Sequence, residues 1–322
     1  MEGVKILKRP RLKSPYLICA WPGMGEVAFR AATYLVEQLK AEEFAQIPPE
    51  DFFYMTGSIV QGGILQVPQL PYSKFYFWKN KSGSNDLIIF ISNAQPDLAR
   101  AEEYSGRILS MAKHFKVKNI ASFAAMPQPI DHTQQPRVWV SATKKEILEA
   151  LGKYNLERLQ DGQVSGMNGL FLGIARQEGF SGFCLLGEIP LYTIQIENPK
   201  ASYAVLEALS KILKIQFDLH GLIDEAHGME GEINKLMDYL KLGAPSQGPI
   251  GEDDIEKIKK SLTMLTKLPL SVKENIERLF TQSKADISRA KELKSELDKW
   301  NVYKEYEDRF LDLFKKKKEG NN

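Results

Sequence analysis

The chain has 322 residues, of which 43% are hydrophobic and 10% aromatic, so it can bury one large core or two ordinary ones and is too apolar for a disordered polymer. Its 43 Lys and Arg against 41 Asp and Glu leave a formal charge of +2, which is too balanced for nucleic acid or an anionic membrane as the main partner. The two cysteines, Cys19 and Cys184, sit inside apolar runs, which excludes a disulfide framework and points to a reducing compartment. No apolar run nears the roughly 20 residues a membrane span needs. The run after the basic residues Lys5, Lys8, Arg9, Arg11 and Lys13 is too short for a signal-peptide core, so a cytoplasmic protein is expected.

The pattern in chain order is one of alternation. Residues 16–21 form a continuous apolar run that predicts a buried strand, followed by Pro22-Gly23-Met24-Gly25 and a helix over about 26–40. Short β-like segments at 44–47, 58–60, 64–67 and 75–78 are punctuated by Gly and Pro. Strands are predicted at 87–92, 117–125, 138–140 and 183–186, with helices over 98–115, 144–151, 168–178 and 203–213. Such alternation predicts an α/β domain whose central sheet is covered by helices. The short strands between 44 and 78 make that sheet mixed rather than purely parallel.

Texture changes near residue 215. Residues 1–214 carry 24 basic and 20 acidic residues, a balance of +4, whereas 215–322 carry 19 and 21, a balance of −2, and hold three of the 16 prolines. The last third therefore reads as all-helical. Leu219, Leu222, Ile223, Ala226, Met229, Ile233, Leu236, Met237 and Leu240 trace one helix face, and 243–251 reads as a linker. A helix capped by Asp253 and Asp254 runs to about 265, and Ser271 with Glu274 forms a capping box for the next. Ala290, Leu293, Leu297, Trp300, Phe310 and Leu313 mark a long amphipathic helix. The expected division is an α/β domain over 1–215 and a helical extension over 216–322 with a disordered tail at 315–322.

Candidate chemistry gathers at predicted strand ends. Gly23-Met24-Gly25-Glu26-Val27-Ala28 is G-x-G-x-x-A at a strand-to-helix turn, the setting of a dinucleotide fingerprint. Glu26 in the first helical turn would repel phosphate, and no acidic residue ends the following strand, so a tight turn with a dipole-matched Glu is the competing reading. Asn93, Gln95, Pro96 and Asp97 follow the 87–91 strand, where α/β folds open their clefts; the alternative is a loop with Asp97 as a helix cap. Asn168 can cap the next helix, and Glu188, just past the 183–186 strand, is a lone carboxylate without an evident partner. His220, Asp224 and His227 share a helical face, but no His-Glu-x-x-His spacing accompanies them, and no metal or cofactor is expected. No G-x-S-x-G elbow, Walker-type loop or CxxC occurs.

Four segments in order, Tyr16-Leu17-Ile18-Cys19-Ala20-Trp21-Pro22-Gly23-Met24-Gly25, Asn93-Ala94-Gln95-Pro96, Gly166-Met167-Asn168-Gly169-Leu170-Phe171-Leu172-Gly173 and Leu185-Leu186-Gly187-Glu188-Ile189-Pro190, resemble the proteasome assembly chaperone 2 family in its archaeal and bacterial branch. The resemblance covers about residues 10–215. It implies a three-layer αβα sandwich with a mixed central sheet, similar to the phosphorylase/hydrolase-like fold, and assembly into homo-oligomers. Archaeal chaperone-type relatives can end in a hydrophobic-Tyr-any tripeptide that docks on the proteasome core. This chain ends Gly320-Asn321-Asn322, so the resemblance does not carry tail docking over to it.

The functional expectation is a proteasome-assembly-chaperone-like, non-enzymatic assembly or scaffold factor. Its partners would be copies of itself and a protein client or proteasome-like assembly, with neither nucleic acid nor a membrane involved. The alternative is a nucleotide- or nucleoside-like small-molecule binding protein or enzyme. Its strand-end cleft would be built from Gly23, Met24, Gly25, Glu26, Asn93, Gln95, Pro96, Asn168 and Glu188.

Overall fold

Leu17, Cys19 and Trp21 point to one face of a sheet and Ile18 and Ala20 to the other, and all five are buried. A strand covered on both faces has no polar side to show, so its sequence is a run and not an alternation. This is a computed structural model that describes residues 3–241, apart from 56, 82 and 84, together with 270–299 and 302–315.

The elements, in chain order, are β1 (Lys5–Ile6), β2 (Tyr16–Ala20), α1 (Val27–Gln38), β3 (Glu42–Gln46), β4 (Ile59–Gln61), β5 (Ile64–Gln66), β6 (Ser73–Trp78), β7 (Leu87–Ser92), α2 (Ala101–His114), β8 (Ile120–Gln128), β9 (Val138–Ala142), α3 (Lys145–Leu151), β10 (Glu157–Arg158), α4 (Met167–Gln177), β11 (Gly182–Pro190), α5 (Pro199–Leu213), α6 (His220–Lys241), α7 (Leu270–Ala285), α8 (Ala290–Lys299) and α9 (Tyr303–Lys315). The main sheet runs β1-β3-β6-β7-β2-β8-β11-β9-β10. Its centre, β7-β2-β8-β11, is parallel, while β1, β3, β6 and β9 join antiparallel neighbours. The sheet is therefore mixed, as expected. Helices α2 and α4 cover one face and α1 and α5 the other, which makes three layers. On the α2/α4 side Trp21 lies 5.5 Å from both Phe90 and Phe171 and 6.5 Å from Tyr104, centroid to centroid.

Two of the expected short strands have a different place. Among the described residues β4 and β5 pair only with each other, outside the main sheet. The segment containing them is inserted between β3 and β6, which are themselves sheet neighbours. The base of the insertion is closed by Ile47 N–H donating to Ser73 C=O at 2.9 Å.

The chain divides into two compact units, Met1–Met229 and Glu230–Asn322. The first continues past the change in texture at 215 because the start of α6 holds on to α1. Arg30 Nε donates to Glu225 at 3.0 Å, Tyr34 donates to the Asp218 carbonyl at 2.9 Å, and Leu222 and Ala226 are buried. In the second unit Ile276, Leu279 and Phe280 of α7 pack with Leu293, Leu297 and Phe310. The long helix expected over 290–313 is two helices, α8 and α9. The linker expected at 243–251, the helix at 253–265 and the tail beyond 315 lie outside the described residues. No helix among the described residues is long and apolar enough to cross a membrane.

Candidate functional site at the strand ends

The turn after β2 carries the site's geometry. Gly25 (φ 60°) and Glu26 (φ 50°) are consecutive left-handed residues. A Cβ on Gly25 would stand 3.3 Å from both Asn198 Cβ and Ile189 Cδ1, so glycine is required there for backbone conformation and for space. Gly25 N–H donates to Ile194 C=O at 2.8 Å and Asn198 N–H to Gly25 C=O at 2.7 Å, which ties the turn to the segment leading into α5. Glu26 occupies the N-cap of α1 but its side chain caps nothing. A carboxylate there should be favoured by the helix dipole. Instead burial, and next the charge of Glu197, push it up from 4.5 to about 7, against a hydrogen bond from the Gly23 backbone. The dipole-matched Glu expected from the sequence is thus a carboxyl whose titration burial moves up toward neutral pH.

Asn168 is not the expected cap. α4 starts at Met167 with Gly166 at its N-cap, and the Asn168 side chain reaches back to β2. Its Oδ1 accepts from Trp21 N–H at 3.0 Å and its Nδ2 donates to Trp21 C=O at 2.9 Å, both buried. Ser122 on β8 donates to the Asn168 carbonyl at 2.8 Å. Gln95 bridges the same two segments from outside: Nε2 donates to Pro22 C=O at 2.6 Å and Oε1 accepts from Met167 N–H at 3.0 Å. Asn93 Oδ1 accepts from Tyr72 N–H at 2.7 Å, Pro96 is buried, and Asp97 caps the turn before α2 by accepting from Ala99 N–H at 3.0 Å.

Glu188 lies inside β11 rather than past its end. It is opposite Met126 of β8, because the strand runs on to Pro190. Its carboxylate is buried and fully engaged, accepting from Trp139 Nε1 at 2.8 Å and from Arg137 Nε and N–H at 3.0 Å each. Burial alone would raise this carboxyl. The hydrogen bonds from Trp139 and Arg137, with the guanidinium charge, overcome that and hold it below the usual carboxylate range.

Over the C-terminal end of β8 is a cavity of about 290 Å³. Of the residues expected to converge, Gly23, Met24 and Asn168 line it, and the other six lie outside its lining. The sequence reading missed its remaining walls: Ala124–Pro127 of β8, Leu186 of β11 and the 159–165 loop. The signal available was that a ligand cleft forms over the carboxyl ends of central parallel strands, which points to the segment after 123 as much as to the one after 21. The lining is mostly apolar and lacks a charged pair aimed inward, so the cavity can hold a small apolar body but offers no acid/base couple. Both thiols are buried, which raises them, Cys184 to about 12, and leaves them unsuited to nucleophilic work. His220 Nδ1 pairs with Asp218 at 2.7 Å on the surface, and no cluster of three or more potential metal ligands forms among the described residues.

The chain is thus a mixed-sheet αβα sandwich whose first strand-to-helix turn is stapled to α4 by Asn168 and Gln95. The PAC2 family model matches residues 17–237, and the chain belongs to the PAC2 family. The chain is 28% identical over 276 residues to an uncharacterised protein of Methanocaldococcus jannaschii, covering 80% of this chain and 99% of that one. Among solved structures, Pyrococcus furiosus PbaB, an archaeal proteasome activator, has 28% identity and a TM-score of 0.62 over 73% of this chain and 98% of its own. A PAC2 family protein from Streptomyces avermitilis has a TM-score of 0.61 at 21% identity over 70% and 96%. P. furiosus PbaA, an archaeal homologue of proteasome-assembly chaperone, has 0.56 at 22% over 82% and 99%.

Proposed function

We propose that this chain is a non-enzymatic, homo-oligomeric assembly factor that acts on proteasome or proteasome-like components in the cytoplasm. The observation that carries the reading is the internal use of the strand-end polar groups. Asn93, Gln95, Asn168 and Glu188 each hold backbone or side-chain partners of the fold itself, the arrangement of a scaffold and not of a reaction centre. Membership of the PAC2 family and the likeness to an archaeal proteasome activator supply the client class. The test is to incubate the full chain with purified proteasome core particles and with their separated subunits. Co-sedimentation, or faster particle assembly, is the expected result. Neither effect at any stoichiometry overturns the client assignment.

A second reading rests on the 290 Å³ cavity, into which a nucleoside-sized molecule would insert an apolar face. A ligand present at about 100 times its Kd stabilises by about 2.7 kcal/mol, so a thermal-shift screen with nucleosides and nucleotides decides it. A shift that disappears in Ala124→Leu, which narrows the cavity, supports this reading; no shift removes it.

A further inference from the structure

Residues 52–73 contain no Lys, Arg, Asp or Glu, 22 positions in a chain that is 26% charged and would place about six charges in such a stretch. The foot of this insertion is firmly held. Phe52 and Phe53 are buried, Phe52 lies 4.8 Å from Tyr104, and the Arg100 and Arg107 guanidinium groups sit 4.9 and 4.5 Å from the Phe52 ring centre. Beyond that foot the chain turns outward. Tyr54, Met55, Ile59, Val60, Ile64, Leu65 and Val67 leave 51–73% of their surface uncovered.

The register puts Val60 opposite Leu65 on one face of the hairpin and Gln61 opposite Ile64 on the other, so both faces carry exposed apolar side chains. Gly62 (φ 59°) and Gly63 (φ 79°) close a tight turn of the type that matches strand twist, so the hairpin is built and not a stray loop. A two-stranded hairpin alone in water is marginal. Among the described residues β4 and β5 pair only with each other, which leaves the outer hydrogen-bonding edge of each strand open.

We propose that the β4–β5 hairpin is the surface through which two copies of this chain associate, each hairpin covering the other. Val60 and Leu65 on one face, and Ile59 and Ile64 on the other, leave 54–71% of their surface uncovered, so each face is a patch of neighbouring apolar side chains and not a scatter of single ones, and two stacked hairpins cover one face on each partner. The absence of charge leaves an ionic partner nothing to grip and matches the charge-poor core of a permanent interface. A permanent cover must be present in equal number whenever the chain is made, and a second copy meets that condition. Two open edges around a two-fold axis also complete one another's hydrogen bonds. The inference rests on the homo-oligomeric reading above and adds its surface.

The test is sedimentation velocity of the full chain from about 1 to about 100 μM, a range in which mass action resolves a micromolar equilibrium. Ile64→Lys and Leu65→Lys, one on each face, should each move the association midpoint at least tenfold upward, and the double variant should sediment as a monomer. Leu7→Lys, an exposed apolar position outside the hairpin, should leave the midpoint unchanged. Unaltered far-ultraviolet circular dichroism reports that the variants fold. As an independent measurement, Val60→Cys in a chain whose native thiols are both buried should give a dimer band with a short bismaleimide. A wild type that self-associates while the double variant does so equally well overturns the hairpin inference and leaves the homo-oligomeric reading intact. A wild type that is monomeric throughout, or that binds neutral phosphatidylcholine vesicles through the hairpin instead, overturns both.

Discussion

The strand-end cleft and the β4–β5 hairpin belong to the same α/β unit and use their side chains in opposite ways. Around the cleft the conspicuous residues of the motifs are polar and almost all are engaged by the fold: Asn168 in its lining by Trp21, and outside the lining Gln95 by Pro22 and Met167 and Glu188 by Trp139 and Arg137. At the hairpin the conspicuous residues are apolar and uncovered. A buried polar group without a partner is costly and must find one within the fold, whereas an uncovered apolar side chain keeps its favourable burial available to another molecule. The contrast moves attention from the cleft, where the motifs are, to an insertion that carries no motif.

The comparison can be broken first at Asn168. Asn168→Ala leaves the Trp21 N–H and C=O buried without partners and should cost about 2–4 kcal/mol by urea denaturation. Gln95→Ala, whose bonds are reachable by water, should cost about 0.5–1.5 kcal/mol. A larger loss at Gln95 would mean that the exposed bridge, and not the buried one, holds the turn. Glu188→Ala should follow at about 1–2 kcal/mol, because it leaves the Trp139 Nε1–H and the Arg137 backbone N–H without their acceptor, while the exposed Arg137 guanidinium keeps water and Glu157. The Glu188 carboxyl is held low in the folded state, so its contribution is present above the unfolded carboxylate value and is lost as pH falls through its folded value. Denaturation profiles of the variant should therefore lack part of the acid-side fall of the wild type.

Glu26 gives the opposite slope. Its folded value near 7 exceeds the ordinary 4.5, so its contribution is full below 4.5 and is lost as pH rises through about 7. Glu26→Gln should be flatter than wild type across that window, read as Tm against pH, and an unchanged slope would place the titration elsewhere. The smallest effect is expected at the hairpin. Leu65→Ser, measured at concentrations below self-association, should change unfolding free energy by no more than about 0.5 kcal/mol. A loss of 2 kcal/mol or more, the size of a core truncation, would show that the hairpin is already covered by its own chain.

The layered core was legible because its signals are local and repeated. The runs at 16–21 and 87–92 are strands for the reason they looked like strands, double burial, and the three- and four-residue spacing from Val27 to Leu35 is the buried face of α1. The cleft was legible in part. Gly23, Met24 and Asn168 meet at the cavity, but the role of Asn168 was hidden because a side chain reaching 147 residues back to Trp21 leaves the same local sequence as a helix cap. Glu188 was misplaced because Gly187 and Pro190 read as a strand end, whereas pairing with β8 carries β11 through both. The strand pairs 5–6 and 157–158 are too short to leave a pattern and exist only because a longer neighbour offers them an edge. The segments at 58–60 and 64–67 were recognisable as strands, but nothing local distinguishes a strand that joins the sheet from one that leaves it.

The place of the insertion in the chain also bears on how the protein is made. The hairpin lies near residue 60, yet the parallel centre of the sheet is incomplete until β11 ends at Pro190. At about 5–20 residues per second of synthesis, the uncharged segment leaves the ribosome on the order of ten seconds before the domain beneath it can close. During that interval the Gly62-Gly63 turn gives β4 and β5 only a marginal hairpin, and Pro68 and Pro71 interrupt the run that follows. The arm is thus exposed before its own domain can hold it, and neighbouring chains on one messenger are the first to meet it.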